Sequence, residues 1–167
     1  ERQARDLEAE IGQISQALSS DQTLKSIIDG LPELAIEGIR RNPTQEEIEA
    51  TSDFCQLEVV TLERLLSLQA VYAPGMPLRT ERGMDVRVGN YIAPRGGPEI
   101  KTALEALLMK LEGHKNPWLW HQDYETLHPF CDGNGRTGRA LWAWHMLHLG
   151  RQPFALGFLH SWYYQTL

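Results

Sequence analysis

Cysteine is scarce in this sequence: Cys55 and Cys131 are the only two in 167 residues. Two thiols cannot build a disulfide-dense scaffold, and their spacing suits no zinc site. A reducing, cytoplasmic setting is the expectation. Positive charge is also in short supply. Lys and Arg number 16 against 22 Asp and Glu, which gives a net charge of −6. Nucleic-acid binding is disfavoured, because it draws on a concentrated basic face. No run approaches the roughly 20 apolar residues that a membrane-spanning helix needs, so no membrane association is expected. Internal repeats and low-complexity stretches are missing as well. The remainder is an ordinary globular composition, 42% hydrophobic and 23% charged. Five Trp, five Tyr and four Phe argue against disorder. The length fits one domain with a real core.

Apolar spacing then sets out a chain of helices. Leu7, Ile11, Ile14 and Leu18 predict an amphipathic helix over about 2–18, its acidic surface being either a solvated face or a homodimer surface. Asp21 caps a short helix that Gly30 ends, and Pro32 suits the first turn of another through about Arg41. Thr44 and Glu47 have capping-box spacing for a helix to about Leu57. Thr61 to about Tyr72 is the next helix, and Ala73 to Asp85 reads as a loop rich in Gly, Pro and Arg. Val86-Arg87-Val88 and Tyr91-Ile92 flank Gly89-Asn90, the signature of a tight β-hairpin. Pro94 to Pro98 is a turn, followed by a helix carrying Ile100, Leu104, Leu107, Leu108 and Leu111. A helix from Pro117 ends before His128-Pro129, since the residue before a proline is biased away from helix. Another runs from near Gly135 to about Leu149, and a final aromatic helix follows Pro153. The predicted class is all-α with one small hairpin.

The stretch that carries chemistry is His128 to Arg139, HPFCDGNGRTGR. Gly133-Asn134-Gly135 is a tight turn leading into a helix. Backbone N–H groups of such a turn, backed by the helix N-terminus, form a concavity for anions. Arg136 and Arg139 lie three apart on one helix face, and guanidinium groups there suit a polyphosphate. Asp132 stands beside the turn, where it can hold a divalent ion that also binds phosphate oxygens. His128 titrates near neutrality and can accept a proton. A base, a metal carboxylate, an oxyanion nest and two arginines together describe group transfer from a nucleotide polyphosphate.

This segment resembles the signature of the Fic family, matching it at His128, Pro129, Phe130, Asp132, Gly133, Asn134, Gly135, Arg136 and Arg139. The VRVGNYIAP hairpin and the PEIKTALEALLMKL helix resemble that family's flap and the helix after it. The likeness runs over about 31–150 and divides the chain into N-terminal helices at 1–30 and a Fic domain at 31–167. The resemblance implies transfer of AMP from ATP-Mg²⁺ to a Ser, Thr or Tyr hydroxyl of a target protein, including this chain itself. His128 is then the general base, Phe130 fixes the loop from the core, and Asp132 holds Mg²⁺. Gly133, Asn134 and Gly135 cradle the phosphates, Arg136 contacts the transferred or β-phosphate region, and Arg139 reaches the γ-phosphate. The flap, Val86, Arg87, Val88, Gly89, Asn90, Tyr91 and Ile92, holds the target segment as an added strand.

Glu37-Gly38, within ELAIEG, resembles the end of the family's inhibitory helix. The implied partner of Glu37 is Arg139, whose pairing with a carboxylate would displace the γ-phosphate. Two positions depart from the family pattern. Glu33 stands where the inhibitory helix has Ser or Thr, and Ala143 where the family often has an Asn near the nucleotide base. The alternatives are another Fic reaction, namely a different nucleotidyl, phosphocholine or phosphoryl transfer or removal of AMP, and a nucleotide-binding regulatory module with little catalysis. Gly135 favours AMP transfer over phosphoryl transfer, since the kinase-type branch resembling this motif carries Lys there.

Overall fold

The computed structural model describes residues 43–153. The helices expected at 2–18, 21–29 and 32–41, the aromatic helix after Pro153, and Glu37 itself lie outside the described residues. Within them are five helices and one hairpin: α1 (Gln45–Cys55), α2 (Leu62–Tyr72), β1 (Arg87–Val88), β2 (Tyr91–Ile92), α3 (Pro98–Leu111), α4 (Pro117–Leu127) and α5 (Asn134–His148). The all-α class with one small hairpin is therefore the observed architecture.

The helix starts have local causes. Thr44 accepts a hydrogen bond from the Glu47 amide at 3.2 Å, while the Glu47 carboxylate accepts from the Thr44 amide at 2.8 Å. The expected capping box is thus formed. Thr61 caps α2 through the Arg64 amide, and Asn116 caps α4 through the amides of Trp118 and Leu119. Pro98 opens α3 two residues before the first apolar position, because proline's fixed φ suits the first helical turn. The hairpin has the expected register, with Arg87 opposite Ile92 and Val88 opposite Tyr91. Gly89 takes a φ of 58°, while Asn90 keeps a negative φ, as in a tight turn with glycine first.

α5 lies at the centre, packed against α1, α2 and α4, and α3 packs on α4 and α2. The core joins Leu65 and Leu68 of α2, Ile100, Leu104 and Leu111 of α3, Trp120 and Tyr124 of α4, and Leu141 and Trp144 of α5. Trp120 and Trp144 reconcile burial with their polar N–H groups by donating to the carbonyls of Leu107 and Leu57. Trp118 and Trp142 meet edge to face. Both cysteines are free; Cys55 is buried and Cys131 half-buried.

The segment 73–85 holds no helix or strand, as expected, yet it is tied to the core. Leu78 forms an isolated antiparallel bridge with Phe130, and the amides of Arg79 and Cys131 donate to the carbonyls of Pro129 and Pro77. The sequence gives no sign of this pairing, because its partners are some fifty residues apart.

Leu104 is completely buried in α3. Leu104→Ala should lower unfolding free energy by about 2–5 kcal/mol, through lost transfer energy and the cavity left behind. Urea denaturation of parent and variant measures this.

Candidate active site

The end of α4 sets the position of the candidate base. His128 is the C-cap, in the left-handed region at φ 48° and ψ 62°, and its amide donates to the Tyr124 carbonyl at 3.0 Å. It is the only non-glycine with positive φ among the described residues. That conformation is unfavourable for an L-residue and persists where neighbours over-determine it. The His128 carbonyl in turn accepts from Arg79 Nε at 2.7 Å.

The loop then turns inward. Phe130 is fully buried, and its backbone is stapled by the side chain of Asn134. Asn134 Oδ1 accepts from the Phe130 amide and Nδ2 donates to the Phe130 carbonyl, both at 2.8 Å. The Asn134 side chain is thus used to close the loop, leaving its backbone N–H as its part of the expected phosphate cradle. Gly133 follows at φ 84°, and a side chain there would crowd Ala73. From α2, the Gln69 amide donates to the carbonyls of Asp132 and Met76, fastening the turn from below.

No side chain caps α5. The first-turn amides of Asn134 and Gly135 have no intrahelical acceptor by the geometry of a helix start. Together with the helix dipole they suit a phosphate. Asp132 lies just before them, its side chain 61% exposed. Its Oδ1 accepts from the Gly133 amide at 2.6 Å, and Oδ2 lies 3.8 Å from an Arg136 nitrogen. No group of three or more His, Cys, Asp or Glu capable of holding a metal occurs among the described residues. One solvent-facing carboxylate beside a phosphate nest nevertheless fits Mg²⁺, which is commonly held by one or two carboxylates plus substrate phosphates.

The two arginines divide. Arg136 folds toward α1 and α2: it donates to the Tyr72 carbonyl, lies over the Tyr72 ring at 5.8 Å, and stands 3.7 Å from Glu47. Arg139 is 3% exposed, and neither of its terminal nitrogens has a hydrogen-bond partner among the described residues. A buried guanidinium in that state calls for an anion.

The His128 ring is set for a neutral form. Burial lowers its pKa most, and the positive charge of Arg79 adds to this. The Glu125 carbonyl, which accepts from the ring, and the Asp132 carboxylate act in the opposite sense. The Glu125 carboxylate lies 3.9 Å from Nδ1. A neutral imidazole at neutral pH accepts a proton without first losing one.

The hairpin lies over the same end of α4. The Tyr91 hydroxyl donates to the Thr126 carbonyl at 2.5 Å. Val88, Tyr91 and Ile92 are exposed, Ile92 to 72%. The structure therefore brings His128, Asp132, Gly133, Asn134, Gly135, Arg136, Arg139 and the 86–92 hairpin to one end of the helical core. Sequence reasoning missed Arg79, Glu47, Tyr72 and Glu125. Glu47 was legible as a cap but not as a neighbour of Arg136, and Glu125 was three residues before the histidine on a helix already predicted.

His121, completely buried beside Glu125, has a consequence for stability. Burial, then the charge of Arg139, hold its imidazole down to about 3, against a hydrogen bond to Gly138. The unfolded chain binds that proton near pH 6.5, so stability rises with pH between about 3 and 6.5 and is level above. From pH 7 to pH 5 this group should remove roughly 2 kcal/mol. Urea midpoints at the two pH values should converge in His121→Gln relative to the parent.

The comparisons with known proteins come to the same place. The family model described as "Fic/DOC family" matches residues 50–146, more than half of the chain. No curated protein matches the sequence. Among solved structures, the crystal structure of a Fic family protein from Desulfovibrio desulfuricans G20 is similar, with a TM-score of 0.53 and 19% identity. The match covers 86% of this chain and 56% of that protein, so the chain spans little more than half of that relative's length. At that identity the likeness speaks for the fold.

Proposed function

The chain belongs to the Fic/DOC family, and on that premise we propose that it transfers AMP from ATP to a hydroxyl side chain of a target protein. The observation that carries this reading is the buried Arg139, whose terminal nitrogens lack hydrogen-bond partners among the described residues, on the helix whose uncapped start adjoins a neutral His128.

The residues divide the work as follows. The first-turn amides of α5 receive the α- and β-phosphates, and Arg139 takes the γ-phosphate. Arg136 would contact the transferred or β-phosphate region. Asp132 would hold Mg²⁺, which supplies charge neutralisation on the phosphates when bound. The hairpin adds the target segment as a third strand, using the free backbone edge of a two-stranded ladder and its exposed Val88, Tyr91 and Ile92. His128 removes the proton of the hydroxyl as its oxygen attacks the α-phosphorus. The bond from that phosphorus to the bridging oxygen breaks, and pyrophosphate leaves. Burial of the ring favours this by keeping it unprotonated before attack. The negative overall charge accords with a protein partner rather than nucleic acid.

Restraint by Glu37 belongs to the same proposal. A carboxylate reaching Arg139 would satisfy the guanidinium in place of the γ-phosphate, and Arg139 has no hydrogen bond from any described residue to give up. The Asp132–Arg136–Glu47 arrangement does not require Glu37.

Incubation with ATP labelled at the α- or γ-phosphate is the test. Label on protein from the α position alone is expected, and His128→Ala should reduce it by about 10²–10⁴-fold, the usual contribution of a positioned base. Label from γ alone points to phosphoryl transfer, and none from either to a binding module. Glu37→Gly should raise α-labelling, including self-labelling; activity no higher than the parent's removes the restraint.

A further inference from the structure

Arg79 lies in the segment between α2 and the hairpin, and it is fully buried. All its direct hydrogen bonds go to backbone carbonyls. Nε donates to His128 at 2.7 Å, one terminal nitrogen to Leu127 at 3.0 Å, and the other to Pro94 at 2.7 Å and Met84 at 3.1 Å. Its own amide donates to Pro129, and its carbonyl accepts from Gly97. Met84 and Pro94 bracket the hairpin. Leu127, His128 and Pro129 are the turn that presents the imidazole. One planar group therefore bonds both feet of the hairpin and both sides of the left-handed residue.

We infer that Arg79 is a positioning residue that locks the feet of the hairpin and the His128 turn into one rigid unit, so that a strand docked on the hairpin meets the imidazole at a fixed separation. The inference rests on the proposed roles of the hairpin and of His128. Three physical points support it. A buried cation is costly unless its donors are well used, and four of the five N–H groups of this fork each find a separate carbonyl. Lysine, a point charge with no planar fork, cannot span carbonyls on two segments in this way. A left-handed His128 needs external bonds to hold it, and its carbonyl has this one. Tyr91 adds a second tie nearer the tip of the hairpin, through Thr126.

Amide hydrogen exchange tests the lock without reference to catalysis. In the parent chain, the Ala93 amide, bonded to Val86 within the hairpin, and the His128 amide, bonded to Tyr124, should open together with the same denaturant dependence. Ala93 opening far more readily than His128 overturns the inference. In Arg79→Lys, both amides should lose protection by about tenfold or more, the scale of a bond from a charged donor, while Leu65 in α2 keeps its own. Protection at Ala93 and His128 within twofold of the parent also overturns it. If Leu65 falls in step, the side chain is merely structural and the inference fails. In α-label transfer, Arg79→Lys should lower kcat by about tenfold or more with KM for ATP within about threefold, since the phosphate nest is untouched. A variant whose loss is in KM instead counts against positioning. A parent with no α-label sinks the proposed reaction and leaves the exchange result to decide whether the lock exists.

Discussion

The turn from α4 into the glycine loop depends on one residue held in a conformation it does not favour. His128 sits at positive φ, and the bonds around it remove the alternatives: Tyr124 on its amide, Arg79 on its carbonyl, and the Leu78–Phe130 bridge two residues on. A relaxed, right-handed His128 would continue α4 and carry the following loop away from the start of α5. The reversal brings imidazole, carboxylate and helix N-terminus to the same end of the core. The Asn134 staple on Phe130 then fixes the other side of the loop, and the buried Phe130 ring anchors it in the core.

Electrostatics follow from this geometry. α5 starts without a side-chain cap, so its positive end stays available, and the two arginines follow within its first two turns. They have unlike surroundings. Arg136 is engaged with Tyr72 and stands near Glu47, which shapes the wall between α1, α2 and α5. Arg139 is buried near Tyr72 and His121: burial pushes the Tyr72 phenol up against the opposing charge of Arg139, burial and then that charge push the His121 imidazole down, and the terminal nitrogens of Arg139 have no hydrogen-bond partner among the described residues. A site built this way holds positive charge out of water, and on the proposed reading a nucleotide phosphate and an internal carboxylate would compete for this one guanidinium. The depressed pKa of His128 has the same origin, since a dry wall that disfavours a lone imidazolium keeps the ring able to take a proton.

Much of the fold was legible in advance for local reasons. The capping box at Thr44, the proline at 117, and Gly89-Asn90 act over a few residues, so helix and hairpin limits follow from the sequence to within about two positions. The fold of 73–85 was not legible. Its bonds go to Pro129, Leu127 and His128, and no periodicity announces a partner so distant. Arg79 is accordingly invisible to a reading that looks for motifs: an arginine in a polar loop has the composition of a solvated side chain. Glu47 illustrates the same limit, its capping role being local and its approach to Arg136 tertiary.

The amino-acid sequence by itself determined the helical class and the position of the hairpin, because spacing and residue type are one-dimensional properties. Only the tertiary structure decided that Arg136 is engaged while the terminal nitrogens of Arg139 have no hydrogen-bond partner among the described residues, that Asn134 turns its side chain to the loop, and that Arg79 bonds two segments at once. Those outcomes depend on where backbone carbonyls from distant parts of the chain come to lie and on how much water is excluded around them. Neither quantity exists until the helices have packed.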